Sequence, residues 1–292
     1  MLEFIMMIGP AASGKSTIAN NFSNKYKVIS SDRLRKELYG DESIQGDNRF
    51  LFSQLHNMIL ETLCSGTCVV FDATNLSYKN RKSILEKIPT GIKKAAYVVV
   101  TPIEQIYKNN RNRTRQVPEE VIWRQICQFE MPTFSEGFDL IQVDYPFGYQ
   151  YTLDEAFDLM KDFSQDNPNH SMDLFNHCMS TAGRLCIDSP SRVVLSAMLH
   201  DIGKVFTKTF TNMKGEKTDI AHYYSHNNVG SYISLLINQA KVPPITMAQI
   251  ICYHMQPYFC KSEKAMKRWK ERLGEELWLD ILMLHKADKE AH

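Results

Sequence analysis

Residues 9–17, GPAASGKST, combine glycines, a lysine and hydroxyl side chains at a spacing that suits phosphate binding. They fit the pattern G-x-x-x-x-G-K-[ST], in which backbone amides turn inward around phosphate oxygens. Lys15 would reach the terminal phosphates of a nucleotide, and Ser16 would ligate Mg²⁺. The residues predicted to bind ATP and Mg²⁺ are Gly9, Ala12, Ser13, Gly14, Lys15, Ser16, Thr17 and Asp72.

Charged side chains that follow the next apolar segments could serve the acceptor of a phosphoryl group. Asp32 comes after KVIS (27–30), where its carboxylate could accept the proton of an attacking hydroxyl; an N-cap is the alternative. Arg35 lies one helical turn further on and could contact a substrate phosphate. Asp72 ends VVFD and could orient Mg²⁺ water or Arg35, with an Asx turn as the alternative.

A run of alternating arginines, RNRTRQVPEEVI (111–122), precedes a predicted helix that begins at Pro118 and Glu119. Such a segment can fold over ATP and neutralise charge on the transferring phosphoryl group. Its three arginines, Arg111, Arg113 and Arg115, would supply this positive charge. The alternative is a solvated basic loop, which is the usual fate of such runs.

A second set of residues has the types and spacing of metal ligands. MLHDIGK (198–204) places His200 beside Asp201, so one nitrogen and one carboxylate can face the same cation. Further residues of these two types lie on predicted helices or at their ends: His177, His226, His254 and Asp288. A set of nitrogen and oxygen donors favours Mn²⁺, Fe²⁺, Co²⁺, Ni²⁺ or Mg²⁺, whereas a typical zinc site of the other kind uses thiolates. We therefore predict one or two such ions here.

The elements that must position these residues change character near residue 150. Before it, apolar segments at 2–8, 67–71 and 95–100 alternate with stretches of helical periodicity, which predicts a parallel sheet covered by helices. After it, the spacing of apolar residues predicts helices only. We therefore predict two domains, residues 1–150 with an α/β P-loop fold and residues 151–292 with an all-α helical bundle.

The composition is that of an ordinary globular protein, with 292 residues, 43% of them hydrophobic, and a net charge of +1. This balance gives no global attraction to nucleic acid or membranes, so a site for a polyanion must be local. No apolar run reaches the length of a membrane span, and the seven scattered cysteines favour a reducing compartment. We therefore predict a cytoplasmic protein with no membrane partner.

The first half resembles the phage-type polynucleotide 5′-kinases. The resemblance covers about residues 1–145 and rests on GPAASGKST, SDRLR, FDATN, RNRTRQVPEEVI and QFEMPTFSEGFDLIQV. It implies that Lys15 and Ser16 serve ATP·Mg²⁺ and that Asp32 is the general base on a 5′-hydroxyl. The arginines that it places against phosphate are Arg35 and one of Arg111 and Arg113. Small-molecule kinases and zeta-like toxins carry the same loop pattern, so the acceptor stays open.

The second half resembles the HD-domain phosphohydrolases over about residues 164–292, including the HD domains attached to tRNA nucleotidyltransferases. The resemblance rests on FNHC, MLHDIGK, YYSHNNVG, ICYHMQ and LHKADKEAH. The ligands that it implies are His177, His200, Asp201 and Asp288 for one metal, and Asp201, His226 and His254 for a second. Lys204 could bind a substrate phosphate. His170 and His222 could line the pocket, with surface polar residues as the alternative.

Together the resemblances imply an enzyme that heals nucleic-acid ends. A kinase would add the 5′-phosphate, and a phosphohydrolase would remove a 3′-phosphate, 2′-phosphate or 2′,3′-cyclic phosphate. RNA is favoured over DNA because cyclic phosphates arise there, and a separate ligase is an implied partner. Basic clusters at 108–115 and 261–272 are candidate nucleic-acid contacts, and Trp269 would stack a base there or belong to the core behind a solvated helix.

Other classes of function remain open. A nucleoside or small-molecule kinase fused to an HD nucleotidase or phosphodiesterase would also phosphorylate a mononucleoside. A regulatory protein, in which the P-loop domain gates a hydrolase of a signalling nucleotide, would bind ATP without transferring phosphate. A zeta-like toxin would leave the second domain unexplained.

Overall fold

The computed structural model describes residues 2–42, 44, 46–168 and 172–291. The chain divides into two compact units. Unit 1 comprises Met1–Gln125 and Pro132–Phe147, and unit 2 comprises Ile126–Met131 and Gly148–His292. The functional domains predicted at 1–150 and 151–292 remain predictions. Within the described ranges, no helix is both long enough and apolar enough to cross a membrane.

Unit 1 is built on a parallel sheet flanked by helices. Its strands are β1 (Glu3–Ile8), β2 (Lys27–Ser30), β3 (Val69–Asp72), β4 (Lys93–Val99) and β5 (Leu140–Asp144). Its helices are α1 (Lys15–Asn21), α2 (Ser31–Tyr39), α3 (Asn48–Cys64), α4 (Tyr78–Leu85), α5 (Ile103–Arg111) and α6 (Glu119–Cys127), the last of which ends in unit 2. The strand order is β2–β3–β1–β4–β5 with every neighbouring pair parallel, which confirms the predicted α/β fold.

The apolar run of β1 places this strand at the centre of the sheet. Ile5 and Met7 pack in one buried cluster with Ala19 of α1, Val70 of β3 and Val99 of β4. Strands buried on both faces are typical of parallel sheets. Because the carboxyl ends of parallel strands meet at one edge, the loops that follow β1, β2 and β3 lie side by side there.

Unit 2 is mainly helical, as predicted. Its helices are α7 (Leu153–Asp158), α8 (Leu174–Gly183), α9 (Ser191–Leu199), α10 (Lys204–Thr207), α11 (His226–Leu235), α12 (Pro244–Tyr253), α13 (Gln256–Phe259), α14 (Glu263–Leu273) and α15 (Glu275–Glu290). Helices α8, α9, α12 and α15 share an apolar core formed by Ala182, Val193, Ala197, Ile250 and Leu284. This core holds the four helices together.

The prediction of an all-α second domain is wrong, because unit 2 also contains strands: β6 (Tyr151–Thr152), β7 (Lys208–Thr211), β8 (Lys217–Tyr223) and β9 (Ile237–Asn238). Strands β7 and β8 form an antiparallel hairpin, and β6 pairs in parallel with β9. At the hairpin turn, the Asn212 side-chain oxygen accepts hydrogen bonds from the amides of Lys214 and Glu216, and Gly215 has a φ of 83°. The segment lacks helical periodicity, and the turn-forming asparagine and glycine therefore favour a β-hairpin over a helix.

Helix α11 approaches the segment that follows α9 at backbone contact distance. A Cβ added to Gly203 would lie 1.9 Å from the carbonyl oxygen of His226 and 2.6 Å from the backbone nitrogen of Gly230. A Cβ added to Gly230 would in turn lie 3.2 Å from the backbone nitrogen of Gly203. Two glycines thus allow the close approach that brings Asp201 Oδ1 within 3.3 Å of His226 Nε2.

Replacing Gly203 by alanine should therefore destabilise unit 2. We expect the free energy of unfolding to fall by about 3 kcal/mol, because the atoms that a methyl group would meet are backbone and cannot rotate away. Thermal unfolding followed by calorimetry measures this. Gly183→Ala, at the end of α8 where an added Cβ meets nothing within 4 Å, is the matched control and should be neutral or slightly stabilising. Equal unfolding midpoints for the two variants would contradict the close approach.

Candidate active sites

The loop between β1 and α1 in unit 1 has the backbone of a phosphate cradle. Ala12 and Gly14 adopt left-handed conformations, with φ values of 60° and 93°. A Cβ added to Gly9 would lie 2.7 Å from the carbonyl oxygen of Val99, so a side chain there would push the loop away from β4. Ser13 is buried and its carbonyl accepts a hydrogen bond from the Thr101 hydroxyl, which holds the middle of the loop.

Lys15 and Ser16 begin α1 and face the end of β3. The Ser16 hydroxyl donates to Asp72 Oδ2 at 2.7 Å, and Lys15 Nζ donates to the carbonyl oxygen of Pro10 at 2.6 Å. Burial lowers the pKa of Lys15 to about 8, although the carboxylates of Asp72 and Asp32 act in the opposite direction. Hydroxyl and carboxylate oxygens are the donors that Mg²⁺ prefers, so Ser16 and Asp72 fit the predicted ion.

A cavity of about 770 Å³ opens beside this loop, within the size range of small-molecule sites. The predicted residues that line it are Ala12, Gly14, Lys15, Ser16, Thr17, Asp32, Asp72 and Arg113. The cavity thus joins most of the predicted nucleotide-binding residues to the predicted general base. Gly9 and Ser13 support the loop from behind without lining it.

Asp32 lies in the first turn of α2, with its side chain partly exposed to the cavity. The N-cap of α2 is Ser30, so the alternative of Asp32 as the cap is wrong. Arg115 Nη1 lies 3.4 Å from Asp32 Oδ1 and 3.8 Å from Glu42 Oε1. The carboxylate that would receive a proton is therefore held by an arginine of the basic run.

Two predicted arginines lie away from the cavity. Arg35 is buried, and its Nη1 donates to the Ile44 carbonyl oxygen at 3.3 Å and to Asn48 Oδ1 at 3.2 Å. Arg111 Nη1 lies 3.1 Å from Glu119 Oε1, and both side chains are exposed. The structure therefore does not bring either of them together with Lys15.

Several lining residues were not among the site residues predicted from the sequence. Arg115 and Arg124 line the cavity together with Arg113. Asn109 Nδ2 donates to the Ala12 carbonyl oxygen at 3.1 Å, and the Ala11 amide donates to Gln125 Oε1 at 2.7 Å. The alternating arginines were a signal for Arg115. Asn109 and Gln125 carry no local signal, because their partners lie about a hundred positions earlier in the chain.

In unit 2, the six predicted metal ligands meet in the interior. They are His177 on α8, His200 and Asp201 after α9, His226 on α11, His254 after α12 and Asp288 on α15. All six residues are buried. Six polar groups from five helical segments would be costly to bury together without a shared partner.

Asp201 lies between two groups of donors. Its Oδ2 lies 3.6 Å from His177 Nε2 and 3.4 Å from His200 Nε2, while its Oδ1 lies 3.3 Å from His226 Nε2 and 3.6 Å from His254 Nε2. In each group of three, the ligand atoms lie within 4.8 Å of one another. The arrangement matches two sets of metal donors that share one carboxylate.

The orientation of three histidines is set by the backbone. Nδ1 of His200, His226 and His254 donates to the carbonyl oxygen three residues earlier, at 2.8, 2.8 and 2.7 Å. Their Nε2 atoms face the cluster, and within the described part of the chain they have no hydrogen-bond partner. Buried Nε2 lone pairs held in this way fit divalent metal ions, since metal-binding histidines commonly donate their other nitrogen to a carbonyl or carboxylate.

Electrostatics favour a cation at the cluster. Burial opposes ionisation of both carboxyls, but Lys204 and His200 outweigh it at Asp201 and hold the pKa of that carboxyl well below its usual value. At Asp288, His200 and a hydrogen bond from His177 have the same effect on the pKa. Burial also lowers the pKa of His200, yet the negative groups around it, including Asp201 and Asp288, raise it well above its usual value. Burial and the neighbouring imidazoles lower the pKa of His254. The two carboxylates therefore stay charged.

Other predicted residues of unit 2 have separate places. Lys204 Nζ lies 2.7 Å from Asp201 Oδ2 and donates to Gln165 Oε1 at 2.8 Å, beside the cluster as predicted. His222 lies on β8, where its ring stacks on Tyr224 at 5.5 Å. His170 lies outside the described residues.

Tyr258 belongs to the cluster although the sequence analysis missed it. Its hydroxyl donates to Asp288 Oδ2 at 2.6 Å, and its ring contacts His285 edge-on at 4.3 Å. Burial, together with Asp288, raises the pKa of Tyr258, so the phenol remains a donor. Tyr258 thus orients Asp288 so that the other oxygen, Oδ1, faces His177 at 3.2 Å.

Replacing Tyr258 by phenylalanine should weaken metal binding. We expect the Kd for Mn²⁺ to rise about tenfold, because partners of ligating carboxylates typically contribute at this level. Titration of metal-free protein with Mn²⁺ measures the effect. Tyr253→Phe is the control, since the Tyr253 hydroxyl donates instead to the Met131 carbonyl oxygen. An unchanged Kd in Tyr258→Phe would show that Asp288 needs no support.

The fold and the loop define unit 1 as a P-loop α/β unit. Residues 4–132 match the AAA_33 family, described as an AAA domain. This match covers less than half of the chain. No curated protein matches the chain.

Several solved structures are similar to parts of the chain. A chain of the structure described as "Structure of the Pnkp1/Rnl/Hen1 RNA repair complex" has a TM-score of 0.40 and 19% identity, over 44% of this chain and 43% of that one. A gluconokinase from Sinorhizobium meliloti 1021 has a TM-score of 0.36 and 22% identity, over 49% and 82%. A shikimate kinase from Bacteroides thetaiotaomicron has a TM-score of 0.35 and 15% identity, over 48% and 86%. This chain thus spans less than half of the RNA repair chain, and likenesses at this level do not indicate an activity.

Proposed function

We propose that this protein heals broken nucleic-acid ends, with RNA favoured over DNA. It would phosphorylate a 5′-hydroxyl with ATP and remove a 3′-phosphate, 2′-phosphate or 2′,3′-cyclic phosphate with one or two divalent metals. One observation carries the proposal: a single chain holds a P-loop cavity with a carboxylate beside it and a buried histidine–aspartate cluster. The repaired ends would suit a separate ligase in the cytoplasm.

For the kinase reaction, Asp32 would accept the proton of the 5′-hydroxyl while the hydroxyl oxygen bonds to the γ-phosphorus. The bond from that phosphorus to the bridging oxygen breaks, and ADP leaves with the electron pair. Lys15 and Arg113 would neutralise phosphate charge, and Arg115 would release Asp32 when the acceptor enters. Mg²⁺ bound through Ser16 and Asp72 would supply further charge neutralisation.

For the hydrolytic reaction, the phosphate end would lie against the cluster of unit 2. His177, His200, Asp201 and Asp288 would hold one metal, and Asp201, His226 and His254 a second. Bound metals would supply Lewis acidity and an activated water. Lys204, held beside Asp201 by Gln165, would bind a phosphate oxygen. The oxygen of a water molecule would bond to the phosphorus while the bond from phosphorus to the ribose oxygen breaks, and a proton of that water would pass to the ribose oxygen.

A second candidate is a nucleoside or small-molecule kinase fused to an HD nucleotidase or phosphodiesterase. The position of Arg35 favours it, because this residue is bonded to Ile44 and Asn48 and does not line the cavity. A polynucleotide acceptor would therefore lack the predicted contact between Arg35 and the phosphate next to its 5′ end. Comparison of a nucleoside with an oligonucleotide as acceptor separates the two candidates.

The test of the proposal uses one oligoribonucleotide with a 5′-hydroxyl and a 2′,3′-cyclic phosphate. The protein, ATP, Mg²⁺ and Mn²⁺ are added, and the products are weighed by mass spectrometry. We expect a phosphate gained at the 5′ end and a cyclic phosphate opened or lost at the 3′ end. A parallel reaction offers a nucleoside as the acceptor. If the oligonucleotide is unchanged at both ends and the nucleoside is phosphorylated, the proposal is wrong and the second candidate is favoured.

A further inference from the structure

A short segment of unit 2 leads from the metal cluster to the protein surface. Tyr258, whose hydroxyl binds Asp288, is the last but one residue of α13. The next residue, Phe259, has 67% of its surface exposed and is among the most exposed large apolar side chains of the described chain. An exposed aromatic ring therefore lies one residue from a contact of the cluster.

Four basic side chains come after Phe259 in the chain. Lys261 lies just before α14, and Lys264, Lys267 and Arg268 lie on it. All four are exposed, and within the described ranges none forms an ion pair. Lys264, Lys267 and Arg268 are spaced i, i+3 and i+4, so they share one face of the helix. The exposed Glu263 and Glu271 reduce the local charge without cancelling it.

The opposite face of α14 is fixed to unit 2. Trp269 is half-buried, with its ring 6.2 Å from that of Tyr253 and 4.3 Å from the guanidinium of Arg272. Arg272 also forms an ion pair with Glu130 at 2.8 Å. Trp269 is therefore an anchor of the helix, and Phe259 is the aromatic ring available to a ligand.

We propose that Phe259 and the outer face of α14 bind a single-stranded nucleic acid whose phosphorylated 3′ end enters the metal cluster. Unpaired cations attract the phosphate backbone and release its counterions, and an exposed ring can stack an unpaired base. The proposal rests on the proposed end-healing function and names the surface that would make unit 2 act on polynucleotides. The overall charge of +1 leaves this attraction to local surfaces.

Binding of a fluorescein-labelled single-stranded 12-mer RNA with 5′- and 3′-phosphates, measured by anisotropy without ATP, tests the proposal. The triple variant Lys264→Ala, Lys267→Ala, Arg268→Ala should bind about tenfold more weakly at low salt. The slope of log affinity against log salt concentration should fall by about 2, since each lost phosphate contact contributes about 0.7. Phe259→Ala should also lose about tenfold in affinity, with an unchanged salt slope, because stacking releases no counterions.

The matched control removes three exposed lysines elsewhere on unit 2: Lys214→Ala, Lys217→Ala, Lys241→Ala. Its charge change is the same, so a general field effect would weaken RNA binding equally in both triple variants. Equal losses in the two triple variants, or full affinity in Phe259→Ala, would overturn the proposal. So would a wild-type protein that binds no RNA.

Failure of this surface is distinguishable from failure of the proposed function. Hydrolysis of a nucleoside 3′-monophosphate, which lacks the strand that would lie on α14, is measured in the same variants. Hydrolysis of the mononucleotide at wild-type rate together with weak RNA binding supports the surface. If the triple variant of α14 removes the 3′-phosphate of the 12-mer with an unchanged KM, the proposed binding surface is wrong and the proposed function still holds.

Discussion

Replacing Asp201 by alanine is expected to abolish metal binding to unit 2 and hydrolysis of the 3′ end together. Asp201 belongs to both groups of donors, so its loss removes a ligand from each. We expect the hydrolytic rate to fall by about a thousandfold or more, because metal stabilisation of a phosphoryl transition state contributes several kcal/mol. Mass spectrometry of the products and metal analysis of the purified variant measure the two effects.

Two controls separate this effect from misfolding. Asp201 also pairs with Lys204, so circular dichroism and the Asp201→Asn variant establish that unit 2 still folds. Phosphorylation of the 5′ end, which would use unit 1, should persist in the same sample. Retention of both metal and 3′-end hydrolysis in a folded Asp201→Ala protein would contradict the assignment of the cluster.

Replacing Lys15 by alanine is expected to abolish phosphorylation of the 5′ end and to leave the 3′ end reaction unchanged. Lys15 is buried at the end of the loop, with its Nζ directed at Pro10 and the carboxylate of Asp72 nearby. A cation fixed against the terminal phosphates stabilises charge that grows during transfer, and its removal should cost about a thousandfold in rate. Transfer of labelled γ-phosphate to a 5′-hydroxyl oligonucleotide measures the loss.

The control for this variant is Lys25→Ala, which removes an exposed lysine from the turn between α1 and β2. We expect normal transfer from it. Lys15→Arg should recover little activity, because the larger guanidinium has to enter a buried position. Normal transfer by Lys15→Ala would mean that the loop does not hold the nucleotide that reacts.

The parts of the molecule predicted correctly are those with local signals. The glycine spacing of residues 9–17 requires particular backbone angles, and the structure shows left-handed φ values at Ala12 and Gly14. The apolar runs of β1, β3 and β4 alternate with stretches of helical periodicity, and this alternation predicts the parallel sheet. The six cluster residues also meet as predicted, since each lies on or beside an amphipathic helix whose apolar face must turn inward.

The parts that were missed depend on contacts that periodicity along the chain does not encode. Helical spacing predicts that Arg35 contacts a substrate phosphate, yet its hydrogen bonds direct it to Ile44 and to Asn48 at the start of α3. Which arginine of the basic run reaches the cavity depends on the path of the chain after α5. That path places Arg115 against Asp32. Tyr258 could not be found from spacing, because its partner Asp288 lies 30 positions away.

The backbone anchors of the three histidines have a consequence for how unit 2 would bind metal ions. Each ring is oriented by a carbonyl group only three positions earlier in its own segment. The orientation of the rings is thus set by the folded helices themselves. One metal ion should therefore exchange for another without refolding of the protein, and under the proposed function the metal supplied would set the rate of 3′-end hydrolysis.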